Sequence, residues 1–520
     1  MPRAGARSGP LSDNSVIQPG FIGRFWGCCA AQRGASPLTT TSRSLQKFAF
    51  RYSVKNNNME NTMTAQSIKI DDLPIGRFHL KIAGLTFGAH FTDGYILGLI
   101  GIAFTLLSPQ MQLDAFWQGL IGASALIGLF LGSLFFGWIS DTLGRQKIFL
   151  VSFVLITVAS VMQFYAETAM GLLLCRILIG IGLGGDFSVG HAMLAEFSPK
   201  KHRGVLLGSF SVIWTFGYVA ATFVGTAMLS LGDDAWRWML ASSAIPAGLI
   251  LIARIGTPES PRWLVNRGRI AEARAIVKKH LGEHVVLDEE PSTQARSGYG
   301  VLFSREYRKR TAFNCLFFVC IVMPYFAIYT FLPSILQKMG LSQGFGTELL
   351  LNLLLIVGAL IGIWCTVKFS RRGFLINAFI ILAAALFLLA VLPGSLAWLM
   401  VLTFGVFTLV LSAVSNLVGV FPAESFPTEV RASGIGLATA VSRLGSAIST
   451  FLLPVSVAGI GLSPTMGILA AILVFGAIIS WAWAPETKAL TLSQACKAEA
   501  PPVSGVADLA QPLRKQPHLG

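Results

Sequence analysis

Asp93, Arg176, Asp186 and Arg443 are charged residues well inside long apolar stretches of this 520-residue chain. A charge in hydrocarbon is costly unless it is paired or neutralised, so these residues are where chemistry is to be sought. Asp93 falls about twelve residues into the first apolar segment, roughly 18 Å along a helix and near the middle of a ~30 Å core. A carboxyl there alternates between a neutral acid and a cation-paired carboxylate, which is what a proton carrier requires; a fixed ion pair between helices is the alternative. Arg176, in the fourth segment, is the expected partner of Asp93. Asp186, further along the same segment, is read as a substrate or second proton site, or as half of a salt bridge to a neighbouring helix. Arg443 can grip a carboxylate by two parallel hydrogen bonds, which favours an anionic substrate, or it can neutralise Asp186. Trp214, Tyr325, Tyr329 and Asn416, together with Tyr218, are candidates to line the same cavity, with packing as the default for the aromatics. His90, one turn before Asp93, is read as a proton relay or a packed ring, and His191 as structural.

These residues need a scaffold that holds them in a membrane. With 53% hydrophobic and only 12% charged residues, the chain is too apolar for a soluble protein of its length. Its formal charge of +15 is gathered in short clusters between apolar runs, so it marks topology rather than a nucleic-acid surface. The seven Cys show no metal-ligand spacing, and Cys175, Cys315, Cys320 and Cys365 are read as packing residues. The apolar segments carry no nucleophile and base pair, metal cluster or phosphate loop, which argues against an enzyme and against a bound cofactor or metal.

Twelve apolar segments of spanning length run roughly over 82–107, 116–139, 148–167, 170–196, 205–231, 237–256, 311–337, 347–368, 373–393, 396–422, 432–458 and 464–484. Loops rich in Lys and Arg alternate with loops that together hold one Lys, Lys338, which places both termini in the cytoplasm of a cell whose inner or plasma membrane the chain spans. The expected organisation is a basic, disordered region over 1–77, a six-helix half over 78–256, a cytoplasmic loop over 257–310, a second six-helix half over 311–488 and a disordered tail over 489–520. The first 58 residues hold eight cations against one acid, and are read as a basic tail near anionic lipid or as an extension ahead of Met59 or Met63. Within the central loop, Ile270 to Leu281 has the periodicity of an amphipathic surface helix.

An internal repeat supports the six-and-six division. Glu196-x-x-Pro199-x-x-x-Arg203 recurs as Glu424-x-x-Pro427-x-x-x-Arg431 at an offset of 424 − 196 = 228. Pro258-Glu259-Ser260 recurs as Pro485-Glu486-Thr487 at 485 − 258 = 227, and the turn at Arg145 recurs as Ser370-Arg371-Arg372 at 371 − 145 = 226. Three landmarks at one spacing imply an all-α membrane protein of twelve transmembrane helices in two pseudo-symmetric halves, with substrate held between them near the midplane.

The turn itself, Gly137-Trp138-Ile139-Ser140-Asp141-Thr142-Leu143-Gly144-Arg145-Gln146-Lys147, resembles the signature Gly-x-x-x-Asp-x-x-Gly-Arg-Arg/Lys of the major facilitator superfamily. Pro258-Glu259-Ser260-Pro261-Arg262-Trp263-Leu264 and Phe426-Pro427-Thr428-Glu429-Val430-Arg431 resemble the motifs after helices 6 and 10 of its sugar porters, and the overall match is to bacterial metabolite:proton symporters. The resemblance implies alternating access by a monomer, a proton-coupling pair at Asp93 and Arg176, and a cytoplasmic gate built from Gly137, Asp141, Gly144, Arg145, Glu196, Arg203, Glu424 and Arg431. Two departures argue against sugar. Helix 7 reads Phe317-Phe318-Val319-Cys320-Ile321-Val322-Met323-Pro324-Tyr325 where sugar porters carry a Gln-rich motif, and helix 5 lacks amides for several hydroxyls. The expected function is therefore proton-coupled symport of a small organic acid, driven by the proton gradient. A sugar or polyol symporter, an organic-cation transporter and a non-transporting sensor on a transporter frame are the alternatives.

Overall fold

In a computed structural model of the chain, residues 68–286, 299–305, 307–340, 345–392, 396–426 and 431–486 are described. Residues 1–67 and 487–520, which take in most of the basic region and all of the 489–520 tail expected to be disordered, lie outside the described residues. Among the described residues twelve helices are long and apolar enough to cross a bilayer, numbered here as spans 1 to 12. They are Arg77–Gln110, Ala115–Phe136, Arg145–Tyr165, Ala169–Phe197, Val205–Leu231, Ala235–Arg254, Arg308–Thr330, Gly346–Lys368, Arg371–Val391, Ala397–Pro422, Gly434–Ile460 and Leu462–Trp483. In lipid a helix satisfies its own backbone polar groups, and the ends are closed by local chemistry. Asp114 caps the helix of span 2 by accepting from the Trp117 amide at 2.8 Å, and Thr168 caps span 4 through the Gly171 amide at 3.1 Å. Between spans 2 and 3 the chain turns at Gly144, whose φ of 105° is open to glycine at little cost.

The two halves pack alike. Span 2 lies against span 4, span 1 against span 5 and span 3 against span 6; six spans later, span 8 lies against 10, 7 against 11 and 9 against 12. The halves meet through span 2 with span 11 and through span 5 with span 8, which is again the same contact repeated. The repeated motifs have repeated jobs. Glu259 accepts hydrogen bonds from the amides of Arg145 at 2.9 Å and Gln146 at 3.2 Å, placing a carboxylate on the N-terminus of span 3. In the second half Glu486 accepts from the Arg371 amide at 3.2 Å at the start of span 9, where Ser370 adds a cap bond to the Gly373 amide.

Two expectations change. The segment read as continuous over 311–337 is broken at Phe331 into the helices Arg308–Thr330 and Leu332–Lys338, because Pro333 lacks an amide hydrogen and fits only a first helical turn. The lead-in over 68–77, read as part of a disordered region, contains a strand. Strand β1, Ile68–Lys69, pairs in parallel with β2, Val285–Val286, of the central connection. Ile70 is buried with Leu264, Val265, Ala273 and Val277, so the apolar face of the helix Ile270–His280 is covered by the chain entering span 1. Phe78 meets the ring of His280 at 4.9 Å; burial, then Lys279 and Lys81, push that imidazole below its ordinary pKa.

Spans 2 and 4 approach closely because small residues line their seam. A methyl group at Gly180 would run into the Ala125 carbonyl oxygen, and one at Gly184 into that of Leu129. Gly180→Val is therefore expected to force the two helices apart and destabilise the protein by about 1–3 kcal/mol or more. Thermal unfolding of purified protein in detergent measures this, and an unchanged midpoint would contradict the close seam.

Candidate functional site

Span 4 is the axis on which most of the charged candidates can be placed. Asp186 forms an ion pair with Arg254, the last residue of span 6, at 2.5 Å. The Arg254 guanidinium also donates to the Phe149 carbonyl of span 3 at 2.8 Å, and lies over the rings of Phe149 at 3.4 Å and Phe153 at 4.1 Å. Arg254 is wholly buried and Asp186 is 4% exposed, so three helices are joined around one pair. This favours the salt-bridge reading of Asp186 over substrate contact, and its ion-pair partner is Arg254 rather than Arg443. Arg254 was missed because a cation in the last turn of an apolar segment ordinarily faces the loop.

Asp93 sits at the midpoint of span 1. Its Oδ2 accepts from Trp214 Nε1 at 3.1 Å, while Oδ1 is buried with no hydrogen-bond partner among the described residues. Among the described residues Asp93 forms no ion pair; the cation near enough to influence it, beyond ion-pair distance, is Arg443 of span 11, in the other half. The guanidinium of Arg443 is 5.3 Å from the Phe187 ring and 5.6 Å from that of Phe326, and the residue is 9% exposed. The expected pairing of Asp93 with Arg176 is not found. Asp93 feels Asp186, and Arg176 lies ten residues, roughly 15 Å, from Asp186 along span 4. Arg176 is buried, and its Nε and Nη2 have no hydrogen-bond partner among the described residues.

Aromatic rings continue the site from Trp214. Its ring is 5.6 Å from Tyr218, 5.8 Å from Tyr325 and 6.0 Å from Phe326, which brings spans 5 and 7 together across the halves. Two other lining candidates are occupied in packing. The Tyr329 hydroxyl donates to Thr408 at 2.6 Å and its carbonyl accepts from Tyr218 at 2.7 Å, so both are committed. Asn416 donates to the Ala359 carbonyl at 2.8 Å and ties span 10 to span 8. At the end of the bundle away from Arg145 the halves are in contact, with the Phe104 and Phe331 rings 5.3 Å apart.

At the opposite end Arg145 Nε is 3.0 Å from Glu196 Oε1, an ion pair within the first half rather than between halves. The gate expected there includes Gly137, Asp141, Arg203, Glu424 and Arg431, whose side chains lie outside the described residues. Gly144 and Glu259 serve the same turn, since a methyl group at Gly144 would strike the Glu259 carboxylate. Among the described residues no group of His, Cys, Asp and Glu has the arrangement of a metal site.

The buried pair sets a clear expectation. Arg254→Met leaves Asp186 as an unpaired buried charge and should cost about 3–5 kcal/mol, whereas Arg254→Met with Asp186→Leu should recover most of it. Melting of the purified variants distinguishes the two; a single variant as stable as the double would show that the pair does not hold the helices.

Comparison with known proteins agrees with this architecture. The family model described as "Sugar (and other) transporter" matches residues 41–497. The chain is 56% identical over 430 residues to the inner membrane metabolite transport protein YgcS of Escherichia coli (strain K12), covering 83% of this chain and 96% of that one. It is 29% identical to the niacin transporter NiaP of Acinetobacter baylyi, covering 72% and 87% respectively. An inward-open structure of the xylose transporter XylE from E. coli superposes with a TM-score of 0.67 at 21% identity, over 81% of this chain and 99% of that one, which shows the shared major facilitator fold. These are transporters and not enzymes, and this twelve-span membrane protein belongs to the sugar (and other) transporter family of the major facilitator superfamily.

Proposed function

We propose that this transporter carries a small organic acid together with a proton, as a monomer in the plasma membrane of a bacterium, with the Arg145 face and both termini cytoplasmic. The observation that carries the reading is Arg443. It is a buried cation outside the Asp186–Arg254 pair, set between the Phe187 and Phe326 rings and acting on Asp93 across the two halves.

Electroneutrality then supplies the coupling. With Asp93 ionised and no substrate, the carboxylate and Arg443 cancel. With Asp93 protonated, Arg443 is free to hold a substrate carboxylate by two parallel hydrogen bonds, and the site is neutral again. The two other combinations, a protonated empty site or an anion beside ionised Asp93, leave a net charge in an apolar interior, which opposes rocking of the halves. One proton therefore travels with one monoanion. Trp214, Tyr325 and Phe326 provide flat apolar walls suited to an aromatic ring, and the similarity to a protein named as a niacin transporter supports an aromatic carboxylate.

Purified protein in liposomes with an acid exterior tests this with labelled nicotinate, benzoate and xylose. Gradient-dependent uptake of a carboxylate is expected, falling at least about tenfold in Arg443→Gln, the loss of about 1.4 kcal/mol or more of binding. In Asp93→Asn, carboxylate uptake should lose its dependence on the gradient. Uptake of xylose alone would replace the organic-acid reading with a sugar one, and carboxylate uptake indifferent to Arg443→Gln would overturn Arg443 as the cation that holds the substrate.

A further inference from the structure

Three residues before Asp93 on span 1, His90 belongs to a pair of histidines that the coupling described above does not use. His90 of span 1 and His191 of span 4 have ring centroids 4.9 Å apart. Both rest on Phe210 of span 5, His90 stacked at 3.9 Å and His191 edge-on at 4.4 Å, while Phe187 closes on His191 at 4.3 Å.

Their hydrogen bonds set their proton chemistry. His90 Nδ1 is 3.0 Å from the Thr86 carbonyl oxygen, and His191 Nδ1 is 2.7 Å from that of Phe187. A carbonyl oxygen only accepts, so each Nδ1 carries the hydrogen, and each neutral ring keeps a bare lone pair on Nε2. His90 is 5% exposed, and its Nε2 is buried without a hydrogen-bond partner among the described residues. Asp93 Oδ1, three residues along the same helix and on a neighbouring face, is in the same condition. Two unsatisfied buried acceptors within about 4.5 Å of axial rise share one remedy, a proton that either can hold.

The surrounding charges are compatible with such an exchange. Asp186 faces the pair from span 4, Arg254 from span 6 and Arg443 from span 11, while Asp93 stands three residues from His90 along span 1; span 5 contributes Phe210 and Trp214, which carry no charge. Asp186 and Arg254 neutralise each other at 2.5 Å, leaving Asp93 and Arg443 as the charges that decide where the proton rests. His191 is half-buried, and only four residues of span 4 separate it from Glu196, which meets Arg145 at the bundle end.

We propose that His90 and His191 form the route by which a proton leaves Asp93 toward the Arg145 face. The step rests on the proton-coupled reading above. The O–H bond at Asp93 breaks as an N–H bond forms at Nε2 of His90, giving a carboxylate and an imidazolium that keeps its Nδ1–H. The proton then passes to Nε2 of His191, His90 returns to its neutral form, and the half-buried ring releases the proton to water. No electron changes hands, and each ring ends in the tautomer in which it began.

The test is nitrogen-15 NMR of the full chain, labelled at histidine, in lipid nanodiscs. The chain has seven His, and His90→Gln and His191→Gln assign the two signals. At alkaline pH both rings should show the Nδ1–H tautomer. Asp93→Asn should move the His90 titration to more acid pH by about half a unit or more, because a neighbouring carboxylate favours the imidazolium. An Nε2–H tautomer at either ring in the unaltered protein overturns the route, as does a His90 titration that ignores Asp93→Asn. Gradient-driven carboxylate uptake by His90→Gln should fall at least about tenfold, on the scale of losing a positioned acid–base group; uptake at the unaltered rate also overturns it. Absence of carboxylate uptake by the unaltered protein counts against the substrate reading alone, since the NMR measurements need no substrate.

Discussion

The cost of holding charge in an apolar interior governs this structure. Wherever a charged side chain enters the bundle, the fold must provide a counter-charge, a ring face or a backbone carbonyl. Arg254 receives all three, from Asp186, from Phe149 and Phe153, and from the Phe149 carbonyl oxygen. This pair is a fixed part of the first half, joining spans 3, 4 and 6. Outside it, Asp93 has one oxygen, His90 one nitrogen and Arg443 its Nε buried without a hydrogen-bond partner among the described residues. These groups lie where spans 1, 4, 5 and 11 converge, across the junction of the two halves.

Duplication supplies the frame and its breakage supplies the site. Glu259 and Glu486 place a carboxylate on the first amide of spans 3 and 9, a favourable interaction with the helix N-terminus made twice by the same motif. The packing of spans 2 with 4, 1 with 5 and 3 with 6 is likewise repeated six spans later. Asp93, Asp186, Arg254 and Arg443 are not repeated. A transporter with two similar halves needs such asymmetry, because a substrate has only one set of chemical groups to offer.

Most of the frame was legible in the sequence. Spanning helices are announced by length and hydropathy, and the offsets of 226 to 228 residues disclose the duplication without reference to any contact. Less legible were the interruptions and the strap. Pro333 breaks the end of span 7, and Ile68–Lys69 adds a strand to the central connection, where two residues of β structure are too short to leave a periodic signal. Within the site, the sequence named Asp93, Asp186, Arg443 and Trp214, and placed Asp93 near mid-depth. It paired Asp93 with Arg176, counted Tyr329 and Asn416 as lining, and overlooked Arg254.

What the sequence determined by itself is therefore what depends on one segment at a time: how many spans, which loops carry cations and where the repeat falls. Hydropathy and spacing are local properties of the chain, and lipid enforces them. Which charge faces which was decided only by tertiary structure. Partner choice depends on the rotation and depth of helices far apart in sequence, and small residues such as Gly180 and Gly184 set how closely those helices approach. Asp186 and Arg254 are 68 residues apart (254 − 186), and Asp93 and Arg443 are 350 apart (443 − 93). No pattern within a single helix records that Asp186 and Arg254 join spans within one half while Arg443 approaches Asp93 from the other half.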